Sequence, residues 1–116
     1  MKILIIINDP PYGTERLYNA LRLAGSLVRQ SGVELQVFLI GDAVTGAKAG
    51  QKVPQGYYNV QTMLGAVQRQ AAQIGACGTC MDARGMSEQD LIEGAKRSSM
   101  EELTRWTLEA DKVISF

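Results

Sequence analysis

The first forty residues contain two short apolar runs separated by an amphipathic segment. Residues 3–7 are Ile, Leu, Ile, Ile and Ile, and the run stops at the turn formers Asn8-Asp9-Pro10-Pro11. A run this short and this rich in isoleucine predicts a strand buried on both faces. Leucine and alanine recur at helical spacing from 17 to 28, and residues 33–40 form the second run. A strand, a helix and a strand in succession predict a βαβ unit with parallel strands.

The rest of the chain continues this alternation. Residues 41–59 carry four glycines and a proline, which predicts a long loop with a short helix near residues 43–49. The other predicted elements are helices over residues 60–71 and 99–110, and strands over residues 73–77, 94–97 and 112–116. We therefore expect an α/β fold, a three-layer sandwich around a mostly parallel sheet of four or five strands. At 116 residues, the chain is expected to form a single domain over residues 1–116.

Three hydroxyl residues are predicted to begin helices. Thr14 is expected to cap the first helix, with Glu15 in its first turn. Ser87 has an aspartate three residues later, which predicts a short helix at residues 91–92. Ser99 has a glutamate at the same spacing, and this capping box is expected to open the last long helix.

Composition excludes several classes of function. The chain has no histidine, so it has no Ser-His or Cys-His catalytic pair and no His-ligated metal site of its own. Its 12 basic and 12 acidic residues balance to a net charge of zero, which argues against a dedicated nucleic-acid-binding protein. Five consecutive apolar residues at the N-terminus are too few for a signal peptide or a membrane span. We expect a cytoplasmic protein without membrane contact, where two cysteines are more often catalytic, redox-active or metal-binding than structural disulfides.

The main chemical feature is the sequence Cys77-Gly78-Thr79-Cys80, directly after the third predicted strand. The carboxyl ends of parallel strands are where ligands and reactive groups collect in such sheets. Arg84 follows Cys80 by four residues, one turn if the segment is helical, and its charge would lower the pKa of a thiol. Asp82 would act in the opposite direction. A pair this close also allows one thiol to resolve a disulfide or persulfide formed on the other.

Other interpretations of the cysteine pair remain open. The two thiols could be small buried hydrophobic groups. A metal site would need ligands from a second subunit or from carboxylates, because two thiols alone are too few. Thioredoxin-like exchange is disfavoured because all three prolines precede the pair, so no proline follows it to face the thiols. Phosphatase loops of the Cys-x5-Arg type do not match the spacing, and no cofactor is expected.

The turn after the first strand is a second candidate. Asp9 and Tyr12 lie in this turn, which should share one edge of the sheet with the cysteines. We expect Asp9, Tyr12 and Thr79 to line a pocket there. The alternative is an ordinary strand-to-helix connection, and the glycine spacing fits neither a Walker loop nor a dinucleotide loop.

Several short segments together resemble the DsrE/DsrF superfamily, most closely its small YchN-like members, over essentially the whole chain. The matching segments are Pro11-Tyr12-Gly13, Leu21-Arg22-Leu23-Ala24, Asp42-Ala43-Val44-Thr45, Gly50-Gln51-Lys52, Cys77-x-x-Cys80-x-x-x-Arg84-Gly85, Trp106-Thr107-Leu108 and Ala110-Asp111-Lys112-Val113.

The resemblance implies an α/β fold, self-assembly into a homohexamer or trimer, and a sulfur-relay function. In that family a cysteine carries sulfane sulfur as a persulfide, and it precedes a segment ending in Arg-Gly. The carrier therefore maps onto Cys80, with Arg84 assisting and Cys77 as a resolving or alternate thiol. The sulfur donor and acceptor proteins are unknown. The competing hypotheses are a homo-oligomeric scaffold with structural cysteines, an intersubunit metal site and, less favoured, an enzyme with ordinary turnover.

Overall fold

The two apolar runs at the start of the chain pair as parallel strands, as their order predicts. The structure is a computed structural model that describes residues 1–116. Five strands form one fully parallel sheet in the order β4-β3-β2-β1-β5. The strands are β1 (Lys2–Ile7), β2 (Glu34–Leu39), β3 (Gln73–Cys77), β4 (Ala95–Ser98) and β5 (Lys112–Ser115). The predicted α/β class is confirmed, and the sheet has five strands where four or five were predicted.

Four α-helices and two 3₁₀ segments connect the strands. The α-helices are α1 (Arg16–Leu27), α2 (Val60–Arg69), α3 (Gly78–Ala83) and α4 (Met100–Glu109), and the 3₁₀ segments are Gly41–Ala47 and Glu88–Asp90. None of the helices combines the length and the apolar character that crossing a membrane would require.

The direction of the connections decides which face each helix covers. The connections through α1, α2 and α3 each move one strand further from β1 towards β4. The connection through α4 runs the other way, from β4 back across the sheet to β5. Because such crossovers are right-handed, α4 covers the face opposite to α1, α2 and α3. Trp106 of α4 packs edge-on against Phe38 of β2, with ring centroids 6.1 Å apart.

This winding creates a switch point between two neighbouring strands. The segment after β3 leaves towards the α3 face, whereas the segment after β4 leaves towards the α4 face. Open α/β sheets bind ligands in the crevice that such a divergence leaves at the carboxyl ends of the strands. Cys77 ends β3 at this point, and Ser98 ends β4.

The core occupies both sides of the sheet. It comprises 27 buried residues, among them Leu4, Ile5 and Ile7 of β1, each 0% exposed. The central strand β2 is exposed only at Glu34 and buried over the rest of its length, because it has a neighbour on each side and helices above and below. The edge strands β4 and β5 remain largely accessible.

The start of α1 differs from the prediction. The helix begins at Arg16, so Glu15 occupies the cap position rather than the first turn. The Thr14 hydroxyl donates a 2.7 Å hydrogen bond to the Asp9 carboxylate and accepts only a long 3.3 Å bond from the Arg16 N–H. The predicted cap at Thr14 is therefore wrong, because its hydroxyl is engaged by the preceding turn.

The two predicted capping boxes, at Ser87 and Ser99, differ in outcome. Ser87 and its aspartate make the box, but the helix is one 3₁₀ turn over Glu88–Asp90 instead of a helix at residues 91–92. It stops because the Ile92 N–H donates to the Ala47 carbonyl, which draws the chain into an extended contact. Ser99 accepts the Glu102 N–H at 3.2 Å as predicted. The Glu102 carboxylate turns to Ser98 at 2.6 Å instead of completing the box.

The long segment between β2 and α2 largely follows the prediction. Its helical part is the 3₁₀ segment Gly41–Ala47, which lies slightly earlier than the expected residues 43–49. Residues 48–59 contain no further helix or strand before α2 begins at Val60.

Candidate functional site

Cys77 lies at the junction between β3 and α3. It is the last residue of the strand and the cap residue of the helix, and it is 5% exposed. Its Sγ lies 3.3 Å from the Thr79 Oγ1, within hydrogen-bonding distance. The thiol belongs to the hydrophobic core of the chain.

Cys80 lies on α3 and is half-buried. Its Sγ accepts a hydrogen bond of 3.2 Å from the backbone N–H of Gly41. Gly41 follows the end of β2 by one intervening residue, Ile40. Gly41 has a φ of +60°, a conformation in which residues other than glycine are strained. The end of β2 therefore supplies a fixed backbone donor to the sulfur of Cys80.

Arg84 fastens α3 to the segment after β2. Its Nη1 donates to the Cys80 carbonyl at 2.9 Å, and its Nε and Nη2 donate to the Asp42 Oδ1 at 2.9 and 2.6 Å. The Arg84 side chain is 29% exposed. Arg84 is the residue directly after α3, so it lies just past the end of the helix that carries Cys80, and its charge acts to lower the pKa of that thiol.

The two thiols have pKa values shifted in opposite directions. Burial raises the pKa of Cys77, but hydrogen bonds from Cys80 and Thr79 outweigh it, so the pKa of Cys77 is lowered. Burial and the interaction with Cys77 raise the pKa of Cys80, and the Gly41 N–H and the Arg84 charge only partly oppose them. Arg84 therefore acts in the expected direction without making Cys80 the more acidic thiol. The first thiolate of the pair forms on Cys77.

Asp82 does not oppose this thiolate, because it is engaged on the other flank of α3. Arg97 of β4 holds it with two hydrogen bonds of 2.7 and 2.9 Å. This pairing lowers the pKa of the Asp82 carboxyl and raises the pKa of the Arg97 guanidinium. Helix α3 thus has one arginine–aspartate pair on each side.

A small cavity of about 260 Å³ lies beside Cys77. Thr79 lines it together with residues of β4 and the start of α4. No group of three or more Cys, Asp or Glu side chains in the chain is placed to hold a metal ion. The intersubunit metal site remains a prediction.

Comparison with known proteins fits this fold. A family described as the DsrE/DsrF-like family matches residues 1–116. The chain belongs to the DsrE/DsrF-like family. It is 47% identical over 116 residues to the protein YchN of Escherichia coli strain K12, covering 99% of this chain and 98% of YchN. It is 40% identical over 116 residues to the protein MJ0989 of Methanocaldococcus jannaschii, covering 100% of both chains.

Solved structures support the same assignment. The crystal structure of YchN from Escherichia coli superposes with a TM-score of 0.95 at 45% identity, covering 100% of this chain and 99% of that one. The structure of MTH1491 from Methanobacterium thermoautotrophicum matches with a TM-score of 0.79 at 16% identity, over 99% of this chain and 98% of that one, and shares the fold. The resemblance to the DsrE/DsrF superfamily and its YchN-like members is thereby confirmed.

Within this DsrE/DsrF-like chain, Asp9 and Tyr12 are engaged elsewhere. Asp9 accepts hydrogen bonds from Thr14 and, at 3.5 Å, from Arg16. Tyr12 has a φ of 70°, and its hydroxyl accepts the Val60 N–H at 3.1 Å. Neither residue lines the cavity beside Cys77, since both secure the turn before α1.

Sequence reasoning missed two contributors to the site. The Gly41 N–H is a backbone group, so the residue type does not indicate that it would donate to Cys80. Only its place after β2, at the carboxyl edge of the parallel sheet that Cys77 shares, points to the site. Arg97 lies beside α3 because β4 pairs with β3 in parallel register. Cys77 is opposite Ser98 in that pairing, so Arg97 is next to the end of β3, where α3 begins. That pairing was the only signal that could have placed Arg97 near the cysteines.

Proposed function

We propose that this DsrE/DsrF-like protein is a sulfur-relay protein in which Cys80 carries sulfane sulfur as a persulfide. The observation that supports it most directly is the setting of Cys80, a half-buried thiol whose sulfur accepts the Gly41 N–H at 3.2 Å. A backbone donor held in place stabilises negative charge on the sulfur without reorganisation during the reaction. Partial exposure leaves room for the thiol of a partner protein, which thiol exchange requires.

Loading begins with a proton transfer within the pair. The lowered pKa of Cys77 makes it the thiolate of the pair, and it takes the proton of Cys80 as the Cys80 sulfur attacks. Because the pKa of Cys80 is raised, this transfer is uphill and is completed only together with the attack. The Cys80 sulfur attacks the outer sulfur of a donor protein's persulfide. A sulfur–sulfur bond forms on Cys80, the one in the donor breaks, and the donor leaves as a thiol with the proton that Cys77 held. Arg84 keeps a positive charge beside the site throughout.

Release follows one of two balanced routes. An acceptor thiolate attacks the outer sulfur of the Cys80 persulfide, takes it and leaves Cys80 as a thiolate. Alternatively, the Cys77 thiolate attacks the Cys80 Sγ and expels hydrosulfide, and the resulting Cys77–Cys80 disulfide is reopened by a dithiol reductant. Both routes need reduced thiols at the start, as in a cytoplasmic environment.

The test is intact-mass spectrometry after exposure to a cysteine desulfurase and cysteine. We expect wild type and Cys77→Ser to gain one sulfur atom, removed by dithiothreitol, and Cys80→Ser to gain none. The near-ultraviolet circular dichroism of Trp106, which is 1% exposed, checks that each variant keeps its core packing. A folded Cys80→Ser protein that loads like wild type would exclude Cys80 as the carrier.

A scaffold function with structural cysteines is the second candidate. The observation in its favour is the burial of Cys77, which belongs to the hydrophobic core. It predicts no sulfur gain in any variant and slow alkylation of both thiols in the native protein. The same spectra therefore decide between the two functions.

A further inference from the structure

The cavity beside Cys77 lies at the switch point of the sheet. Its volume is about 260 Å³, and it opens between the ends of β3 and β4, where the chain leaves towards opposite faces. It is lined by Cys77, Gly78, Thr79, Arg97, Ser98, Ser99 and Met100. This is the crevice in which open α/β sheets bind ligands. Its volume is below the roughly 300–1,000 Å³ of pockets for drug-sized ligands, so it suits a molecule of a few heavy atoms.

Only one of the two thiols lines this cavity. Cys77 is among its lining residues, whereas Cys80 is not, and the Cys80 sulfur accepts the Gly41 N–H at the end of β2. A molecule in the cavity therefore meets Cys77 first. At 5% exposure, Cys77 is also out of reach for the thiol of a folded partner.

The polar groups of the cavity favour an anion. Its lining holds one cation, Arg97, and no carboxylate. It also holds the hydroxyls of Thr79 and Ser99, while the Ser98 hydroxyl donates to Glu102 at 2.6 Å.

Two of the Arg97 nitrogens bind Asp82, which is not among the residues that line this cavity, and the Arg97 Nε–H has no protein acceptor. The guanidinium lies against Gly78, where a Cβ would be 2.8 Å from Arg97 Cζ and Nε. Glycine at this position therefore lets the cation sit against the backbone beside Cys77.

We propose that this cavity is a second loading site, in which a small inorganic anion carrying sulfane sulfur, such as thiosulfate, transfers that sulfur to Cys77. The inference rests on the proposed function, because it gives the same thiol pair a second source of sulfur. A small anion reaches the thiol that a protein donor does not, and Arg97 supplies the charge that holds it.

The transfer is balanced without an oxidant. The Cys77 thiolate attacks the outer sulfur of thiosulfate, and a sulfur–sulfur bond forms on Cys77. The bond between the two thiosulfate sulfurs breaks, and its electron pair leaves with sulfite. Cys80 then attacks the outer sulfur of the Cys77 persulfide, and its proton passes to Cys77. The product is the Cys80 persulfide and a Cys77 thiol, which is the loaded state of the relay.

The test measures sulfite release and intact mass after incubation of the full-length protein with thiosulfate. We expect Cys80→Ser to gain sulfur on Cys77, and Cys77→Ser to gain none. Arg97→Gln should load roughly tenfold more slowly, since a charge-assisted hydrogen bond to the anion is lost. Arg16→Gln is the matched control, because it removes a guanidinium that also pairs with a carboxylate, Asp9 at 3.5 Å, and neither residue lines the cavity. It should load at the wild-type rate.

A second variant guards against a structural effect of losing Arg97. Gly78→Ala keeps the charge but displaces the guanidinium from the backbone. It should also slow thiosulfate loading while loading from the desulfurase is retained. Wild-type rates of thiosulfate loading in both Arg97→Gln and Gly78→Ala would overturn the proposed anion site.

The outcomes separate this inference from the relay itself. Loading of Cys80 by the desulfurase with no loading by thiosulfate would reject the second site and leave the relay in place. Loading of Cys77 by thiosulfate with no loading of Cys80 by the desulfurase would support the anion site and reject the proposed carrier. Loading of neither thiol would reject both.

Discussion

At the scale of single residues, the two cysteines differ in the groups that surround their sulfur atoms. The side chains of Cys80 and Thr79 both lower the pKa of Cys77, and the Thr79 Oγ1 lies 3.3 Å from its Sγ, whereas the Cys80 sulfur accepts the backbone N–H of Gly41. Hydrogen bonds to the charged form of a group stabilise that form. The more buried thiol is therefore the more acidic one, opposite to the order that burial alone would give.

Removing one of those donors should raise the pKa of Cys77. Cys80→Ala deletes the hydrogen bond from Cys80, so the burial of Cys77 is opposed only by Thr79. We expect the ultraviolet thiolate absorbance of this variant to appear at higher pH than the first titration step of wild type. Thr79→Val should shift it in the same direction. A first titration step unchanged in both variants would contradict the assigned hydrogen bonds.

Gly41 gives a second test at this scale. Gly41→Ala forces an alanine to a φ of +60°, which should cost about 1–2 kcal/mol of unfolding free energy and displace the N–H from Cys80. Gly50→Ala is the matched control, because Gly50 has a φ of +78° with open space around it. Urea denaturation should show similar losses of stability, but only Gly41→Ala should slow persulfide formation on Cys80. Equal loading rates would mean that the Gly41 N–H does not assist.

The cysteine pair and its edge of the sheet could be predicted from the sequence, whereas its hydrogen-bond partners could not. The spacing of Cys77 and Cys80 after an apolar run is a local pattern. The contacts of Cys80 with Gly41 and of Asp82 with Arg97 join residues 39 and 15 positions apart, and they depend on how neighbouring strands align. Such alignment is a tertiary property that no local spacing encodes.

At the scale of elements, α3 is a short helix held from both sides. Arg84 joins it to Asp42 after β2, and Arg97 of β4 joins Asp82. Six residues are too few for a helix to be stable by its own hydrogen bonds. The two pairs and the buried Met81, which is 0% exposed, fix its position between the strand ends. This explains why the sequence left the conformation of the segment after Cys77 open.

The helix caps allow a prediction at the same scale. Ser99→Ala removes the acceptor for the Glu102 N–H and should cost about 1 kcal/mol of unfolding free energy. Thr14→Ala removes a hydroxyl at a position that looks like a cap but is engaged by Asp9, so the cost should stay below about 0.5 kcal/mol. Urea denaturation monitored by helical circular dichroism compares the two. A larger loss for Thr14→Ala would show that the hydrogen bond to Asp9 matters more than the cap.

At the scale of the whole molecule, the winding of the sheet determines where chemistry can occur. The alternation of strands and helices predicts a parallel sheet, because each successive strand must be reached by a crossover. It does not predict that the last crossover reverses direction and places β5 on the other side of β1. That reversal makes the end of β3 the place where two connections diverge. The Cys77 cavity is therefore a consequence of topology as much as of local sequence.

At the same scale, we expect the chain to assemble with further copies of itself. The chain leaves large apolar side chains accessible near one edge of the sheet, with Leu108 of α4 81% exposed and Val113 of β5 44% exposed. Burying a leucine is worth about 1.5–3 kcal/mol, and the outer edge of β5 has no partner strand within the chain. These features, with the family resemblance, predict a homotrimer or homohexamer.

Light scattering coupled to size-exclusion chromatography tests this assembly. We expect wild type to elute with the mass of three or six chains and Leu108→Glu to shift towards the monomer, because a carboxylate cannot be buried unpaired at an apolar contact. Gln30→Glu is the control, because it adds the same charge at an exposed polar residue shortly after α1. It should leave the mass of the assembly unchanged. A monomeric wild type would contradict the predicted assembly, whereas an oligomer unaffected by Leu108→Glu would move the contact away from α4. Since Met100 of the same helix lines the Cys77 cavity, a contact along α4 would also bring the neighbouring subunit close to the proposed anion site.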